Sequence, residues 1–179
     1  NIRPEAGRHG CAYCNNAGFV PRAARSPDLE AQWDRGRAAL RRRHRHVDGF
    51  IAYFQAFSNT NAGLDRLRAL YDPLPDRCAE CVGASISTRP DCLDDAVLDL
   101  LAEVARRTFL TLELGLQTDR DDLLARLGRG HDLACFLDAV GRAAGRGFEL
   151  CAHFLLGLPG EGDDAPERLG RLAASLPIQ

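Results

Sequence analysis

The stretch "LTLELGLQ", residues 110 to 117, sets Leu110, Leu112, Leu114 and Leu116 on one side of an extended chain and Thr111, Glu113, Gly115 and Gln117 on the other. That alternation predicts a strand with one apolar face and one polar face. The same period returns in Phe148 to Leu156, where Phe148, Leu150, Ala152, Phe154 and Leu156 oppose Glu149, Cys151, His153 and Leu155. In "VGASIS", Val82, Ala84 and Ile86 oppose Gly83, Ser85 and Ser87. The run "FIAYFQAF", Phe50 to Phe57, is too short and too aromatic for a helix, and it sets Tyr53 and Gln55 on one face.

Between these runs the period lengthens to that of a helix. From Asp28 to Arg45 the apolar positions Leu29, Trp33 and Leu40 form one stripe, with Ser26 as the expected N-cap and Pro27 at the first helical position. Further helices are predicted over Leu64 to Tyr71, stopped by Pro73 and Pro75, over Asp94 to Arg107, as a pair divided near Gly130, and from about Ala165. Strands alternating with helices, with no hairpin signal, predict an α/β fold of parallel strands joined by right-handed crossovers. No GxGxxG or Walker loop follows a strand, which speaks against a nucleotide-type doubly wound sheet.

The polar faces decide the architecture. Enclosing Glu113, Gln55 and His153 in a dry interior costs several kcal/mol, whereas an incompletely closed barrel with a wet interior removes that cost. Tyr53, Gln55, Glu113, Gln117 and His153 are therefore expected to line one cavity. Chemistry is expected at the C-terminal strand ends, where "SNT", "STRPD", "GLQT" and "GLPGE" lie.

Composition narrows the classes. The length of 179 residues fits one domain, and a net charge of -2 argues against a generally basic nucleic-acid binder. All 23 basic residues are Arg, and the run Arg41 to His46 is a local exception to that balance. Seven cysteines at irregular spacing, with no secretory signal, fit reduced thiols in a cytoplasmic protein. No long apolar run predicts a membrane span, and the absence of Met implies a processed piece or a fragment.

In "HGCAYCNN", Cys11 and Cys14 are half of a zinc site, two-thirds of a three-thiolate iron-sulfur site, or one redox pair. Cys78 and Cys81 in "CAEC" are the second pair that a zinc site would need, although a long helix and a strand intervene. Cys92, Cys135 and Cys151 read as small buried hydrophobes, with Cys151 on an interior face.

Taken in order, "CAYCNN", "GFIAYFQAFSNT", "STRPDCL", "LELGLQT", "GRGHDLACFLDAV" and "GLPGE" resemble the YhcC/YtqA-type radical SAM proteins, relatives of the Elongator catalytic subunit's radical SAM domain. The resemblance covers nearly the whole chain. It implies a partial (β/α)6 TIM-like barrel, with a cluster loop over residues 1–25 and βα units over 26–179, lacking the first and last strands. It further implies a 4Fe-4S cluster on three cysteines, with S-adenosyl-L-methionine (SAM) on the open iron. Cys11 and Cys14 match the second and third of these. The first is expected about two residues before Asn1, so that the fragment alone would be inactive.

Other roles follow from the resemblance alone. Tyr13 corresponds to the aromatic between cluster and adenine, and Ser58, Asn59 and Thr60 to the segment that meets the SAM amino group. Ser87 stands where Elongator-like relatives carry Glu, and Arg89 belongs to the matching motif, paired or not with Asp91. Glu113 falls among the cofactor-binding positions. Gln117 and Arg129 resemble contacts to the methionine part of SAM, with Gly128 where the family usually has Asn. Gly157 resembles the backbone approach to adenine. His131 and His153 are candidates for contact with an unknown substrate. The kinship points to tRNA as a partner and to an electron donor such as flavodoxin or ferredoxin. The rival readings are a zinc-binding or an RNA-binding module without radical chemistry.

Overall fold

The computed structural model describes residues 11–14, 28–55, 57–77 and 80–178. Helix α1 (Leu29–Arg43) precedes strand β1 (Phe50–Phe54), followed by α2 (Leu64–Tyr71), β2 (Cys81–Thr88), α3 (Asp95–Ala105), β3 (Phe109–Gln117), α4 (Asp121–Arg126), α5 (Leu133–Ala143), β4 (Glu149–Phe154) and α6 (Ala165–Ser175). The four strands are parallel and lie in the order β1-β2-β3-β4. A doubly wound sheet reverses its strand order at a switch point. Here each crossover steps to the next strand in the same direction, as in a barrel wall, and the chain is an α/β fold with the expected TIM-like curvature of connectivity.

The apolar faces meet the helices as the alternation predicts. Leu110, Leu112, Leu114 and Leu116 are all at most 2% exposed and pack with Leu98, Leu101, Phe136 and Val140 from α3 and α5. Burying a Leu side chain contributes about 1.5–3 kcal/mol, so this row dominates the sheet's stability. Asp94 and Asp132 cap α3 and α5, accepting hydrogen bonds from the Val97 and Cys135 backbones at 2.8 Å each.

Three local expectations are corrected. The N-cap of α1 is Asp28, whose carboxylate accepts from the Glu30 and Ala31 amides at 3.0 and 3.2 Å; Ser26 and Pro27 lie outside the described residues. The α1 stripe is not a core face, since no residue of α1 is buried; Trp33 reaches the sheet edge-on to Phe50 with ring centroids 6.2 Å apart, and the Arg41 guanidinium lies 5.6 Å from the centre of the same ring. Val82 is exposed rather than aligned with Ala84 and Ile86. Pairing slips there, with Phe50 opposite Cys81 but Ile51 opposite Gly83, so that Val82 is the extra residue of a bulge. Strand β1 also ends three residues early, before Phe57 takes φ 69.

Candidate functional site

The polar strand faces do converge on one cavity of about 240 Å³ at the C-terminal end of the sheet. Tyr53, Gln55, Glu113, Gln117 and His153 all line it, and Cys11, Tyr13 and Cys14 close its mouth. The Cys loop is seated by two backbone hydrogen bonds: Ala12 donates to the Leu127 carbonyl and Cys14 to the Cys11 carbonyl, both at 2.9 Å. Cys11 is buried and Cys14 exposed. Burial and the adjacent Cys11 push the Cys14 thiol up, while Arg129 opposes them.

Arg129 joins this loop to the sheet. Its Nη1 donates to Cys11 Sγ at 3.3 Å and to the Tyr13 hydroxyl at 3.1 Å, and its Nη2 donates to the Gly115 carbonyl. The residue is 5% exposed, its Nε is buried without a partner, and no carboxylate pairs with it among the described residues. Burial pushes the Tyr13 phenol up to about 12 although Arg129 lowers it, so Tyr13 stays neutral.

The end of α4 explains how Arg129 gets there. The Arg129 amide donates to Leu124 O at 3.0 Å and the Gly128 amide to Ala125 O at 3.1 Å, the two bonds of a Schellman cap, with Gly128 at φ 67. Asn is the other residue that occupies this left-handed position readily, which accounts physically for Gly where the family resemblance expects Asn. Gly115 completes the seat, because a Cβ there would lie 3.0 Å from Arg129 Nη2 and 2.5 Å from Gln117 Nε2. Gln117 itself sits at φ 83 beside an irregularity in the β3–β4 pairing, a strained backbone at the strand end where the cavity opens.

Deeper in the cavity Glu113 is the hub. Ser87 and Tyr53 donate to its Oε2 at 2.6 and 3.1 Å, Ser85 donates to Oε1, and His153 Nε2 stands 3.0 Å from Oε2. Burial would raise the Glu113 carboxyl, but the hydrogen bonds from Ser85, Ser87 and Tyr53, with the charge of His153, outweigh it and hold it below the ordinary range. The carboxylate is thus ionised.

Other expected site residues are placed differently. Ser58, Ser87 and Arg89 line the cavity, with Arg89 paired to Asp91 through its Nε at 2.8 Å. Asn59 instead ties strand ends together, its Nδ2 donating to Phe54 O at 2.8 Å and Ser87 O at 2.9 Å. The Thr60 hydroxyl bonds Thr88 Oγ1 at 2.7 Å and donates to Cys92 O at 2.6 Å. Both side chains are spent on the scaffold, and neither lines the cavity. Gly157, at φ 79, also lies off the lining. Its loop is latched from the β3–α4 side: Thr118, fully buried, donates to Glu161 Oε1 at 2.9 Å, and Arg120 donates to Gly160 O at 2.6 Å. His131 is off the lining too. Its Nε2 is buried without a partner among the described residues, and burial, with Arg129 and Arg89 nearby, holds its pKa down.

Ser85, Gly115 and Thr118 were not singled out from sequence as site residues. For Ser85 the signal was available, since it shares the polar face of β2 with Ser87; Gly115 and Thr118 matter only through partners remote in the chain.

A zinc site shared between Cys11, Cys14 and Cys81 does not fit this geometry. Cys81 opens β2 and is buried in the core, while the cavity mouth meets the other end of that strand, at Thr88. At a rise of about 3.3 Å per residue the strand separates the two ends by roughly 23 Å, ten times a Zn–S bond. Cys78 lies outside the described residues. Among the described residues no three or more His, Cys, Asp or Glu side chains converge as a metal site. None of the described helices is long and apolar enough to cross a membrane.

Comparison with known proteins adds four findings. The sequence pattern of the Radical SAM superfamily matches residues 5–173. Protein YhcC of Escherichia coli strain K12 is 41% identical over 157 residues, covering 87% of this chain and 49% of that protein. The YtqA protein of Bacillus subtilis strain 168 is 38% identical over 172 residues, covering 95% of this chain and 52% of that protein. The chain thus spans about half the length of the curated relatives it matches. In structure, the archaeal Methanocaldococcus infernus Elp3 with N-terminus deletion shares the fold, with a TM-score of 0.63 at 18% identity over 82% of this chain and 39% of that one.

Proposed function

The chain belongs to the radical SAM superfamily, and on that footing we propose that the protein cleaves SAM reductively and uses the resulting 5'-deoxyadenosyl radical to take hydrogen from a substrate held in the cavity. The observation that carries this reading is Arg129, a buried cation with no carboxylate partner among the described residues, set against two neighbouring cysteines at the mouth of a polar hollow. Such a charge calls for an anionic occupant. Cys11 and Cys14 would hold a 4Fe-4S cluster as two of its thiolate ligands. When bound, the cluster supplies the electron that splits the sulfonium.

The remaining chemistry belongs to this chain. The Cys11 and Cys14 thiols lose their protons on ligation, which the guanidinium of Arg129 favours by donating to Cys11 Sγ. The planar fork of Arg129, with Nε unspent, suits a carboxylate such as that of the methionine part of SAM. Gln117 offers an amide beside it. The apolar strand faces exclude water from behind the cavity wall, so the radical is confined to the polar side.

Anaerobically purified full-length protein tests the proposal. With dithionite and SAM it is expected to form 5'-deoxyadenosine and to contain about four irons and four sulfides per chain. Colourless protein with one zinc, or an intact cluster without 5'-deoxyadenosine, refutes it.

A second reading concerns the partner. Arg42 and Arg43 close the last turn of α1, Arg45 follows it, and none of the three forms an ion pair with described residues, unlike Arg37, whose Nη1 meets Glu80 at 2.6 Å. This basic run supports RNA, tRNA among them, as the carrier of the substrate. Binding that weakens steeply with salt and is lost on replacing the three arginines with Gln is expected; an electron donor such as flavodoxin or ferredoxin completes the proposed system.

A further inference from the structure

Resting on the reading of the cavity as a radical SAM site, we infer that its floor takes a protonated amine of the substrate, held by an array of hydrogen-bond acceptors that Glu113 organises. The reasoning is an account of protons. Ser87 Oγ donates to Glu113 Oε2 at 2.6 Å, the Tyr53 phenol to the same oxygen at 3.1 Å, and Ser85 Oγ to Oε1. Each hydroxyl owns one proton, and all three are committed to one carboxylate. Only lone pairs are left for a ligand on Tyr53 and Ser87, the two of these hydroxyls that line the cavity.

His153 follows the same logic. Its Nε2 stands 3.0 Å from Oε2, so the ring proton on that nitrogen is turned to Glu113 as well. Cys151 pairs with Glu113 across the β3–β4 ladder; burial and the Glu113 charge push its thiol up, so it adds no second anion. Tyr53 is 53% exposed and the His153 side chain 48% exposed, and both line the cavity. The floor therefore presents the Glu113 carboxylate and a set of hydroxyl acceptors whose protons already point to it.

The cavity is polarised along β3. Arg129 is held at Gly115, two residues beyond Glu113, a separation of about 7 Å by strand rise. A ligand carboxylate is drawn to the Arg129 end and repelled from the floor. An ammonium group supplies three donors and one positive charge to the floor, and it matches the lone pairs and the carboxylate together. A site built in this way rejects an isostere that lacks the donors.

SAM also carries hydrogen-bond donors, on its ribose and its amino group, so the test must separate substrate from cofactor. Full-length protein is titrated with benzylammonium, benzyl alcohol and benzoate by ligand-observed NMR, with and without saturating S-adenosylhomocysteine. Benzylammonium is expected to bind at least about tenfold more tightly than benzoate. It is expected to stay bound when S-adenosylhomocysteine is present, and to weaken about fivefold or more in both Glu113→Gln and Tyr53→Phe. Tyr53→Phe deletes only a hydroxyl from a half-exposed ring, and so keeps the test valid if Glu113→Gln fails to fold. Benzoate binding as tightly as benzylammonium, displacement by S-adenosylhomocysteine, or indifference to the substitutions overturns the inference. The two readings fail separately: 5'-deoxyadenosine formation reports on the radical proposal without reference to the probes, and probe binding needs no turnover.

Discussion

The guanidinium of Arg129 donates to the Sγ of Cys11 across 3.3 Å, joining two residues 118 positions apart in the chain. Its charge has no carboxylate partner among the described residues, so the arrangement costs stability in the empty protein and favours an anionic occupant. Arg129→Met is accordingly expected to raise the stability of metal-free protein by about 1 kcal/mol. The same change is expected to lower iron retention roughly 10- to 100-fold, as loss of a group supporting a metal ligand does. Thermal melts and iron assays on one preparation check both halves; a destabilised apo protein with normal iron content contradicts the role given to Arg129.

Gly128 decides whether Arg129 is delivered. At φ 67, Gly128→Ala places a Cβ in the left-handed region at a cost of about 1 kcal/mol, whereas Gly128→Asn costs a few tenths. Urea unfolding of the two variants is expected to rank them in that order, with iron retention following the same rank.

Glu113 gives the site its pH dependence. Its folded pKa is depressed, so the stability it contributes is present above the ordinary glutamate range and is lost as pH falls through the folded value. Replacing the carboxylate with an amide removes that contribution at neutral pH but little of it in acid. Glu113→Gln is therefore expected to be less stable than the parent at pH 7, with the gap closing as pH falls below the ordinary glutamate range. A gap that is constant from pH 7 to 3 in denaturant melts would mean that folding does not lower the Glu113 pKa.

The latch on the "GLPGE" loop is the fourth test. Thr118 is fully buried and its hydroxyl donates to Glu161 at 2.9 Å. Thr118→Val keeps the shape but leaves Glu161 short of a donor, which is expected to cost about 1–2 kcal/mol. Hydrogen exchange should accelerate in residues 157–161 while the Leu110 to Leu116 row stays protected.

Much of this was legible along the chain. The helix Leu64–Tyr71 and the row from Leu110 to Leu116 follow from local periodicity, because a helix or strand can be stable only with one face matched to the core. Val82 was misplaced because a bulge depends on the partner strand, and the stripe on α1 failed because periodicity reports a face, not whether anything covers it. Asn59 and Thr60 share a segment with Ser58, yet their side chains turn into the scaffold, a choice made by carbonyls on β1, β2 and the following turn.

By itself, then, the sequence determined the elements and the polarity of most strand positions, since these depend on neighbours one to four positions away. The tertiary structure alone decided that Arg129 meets Cys11, that Glu113 gathers hydroxyls from two other strands, and that Thr118 holds Glu161. Such contacts depend on strand register, on a helix cap and on the room left by Gly115, and registry between remote segments is set by how the whole sheet packs.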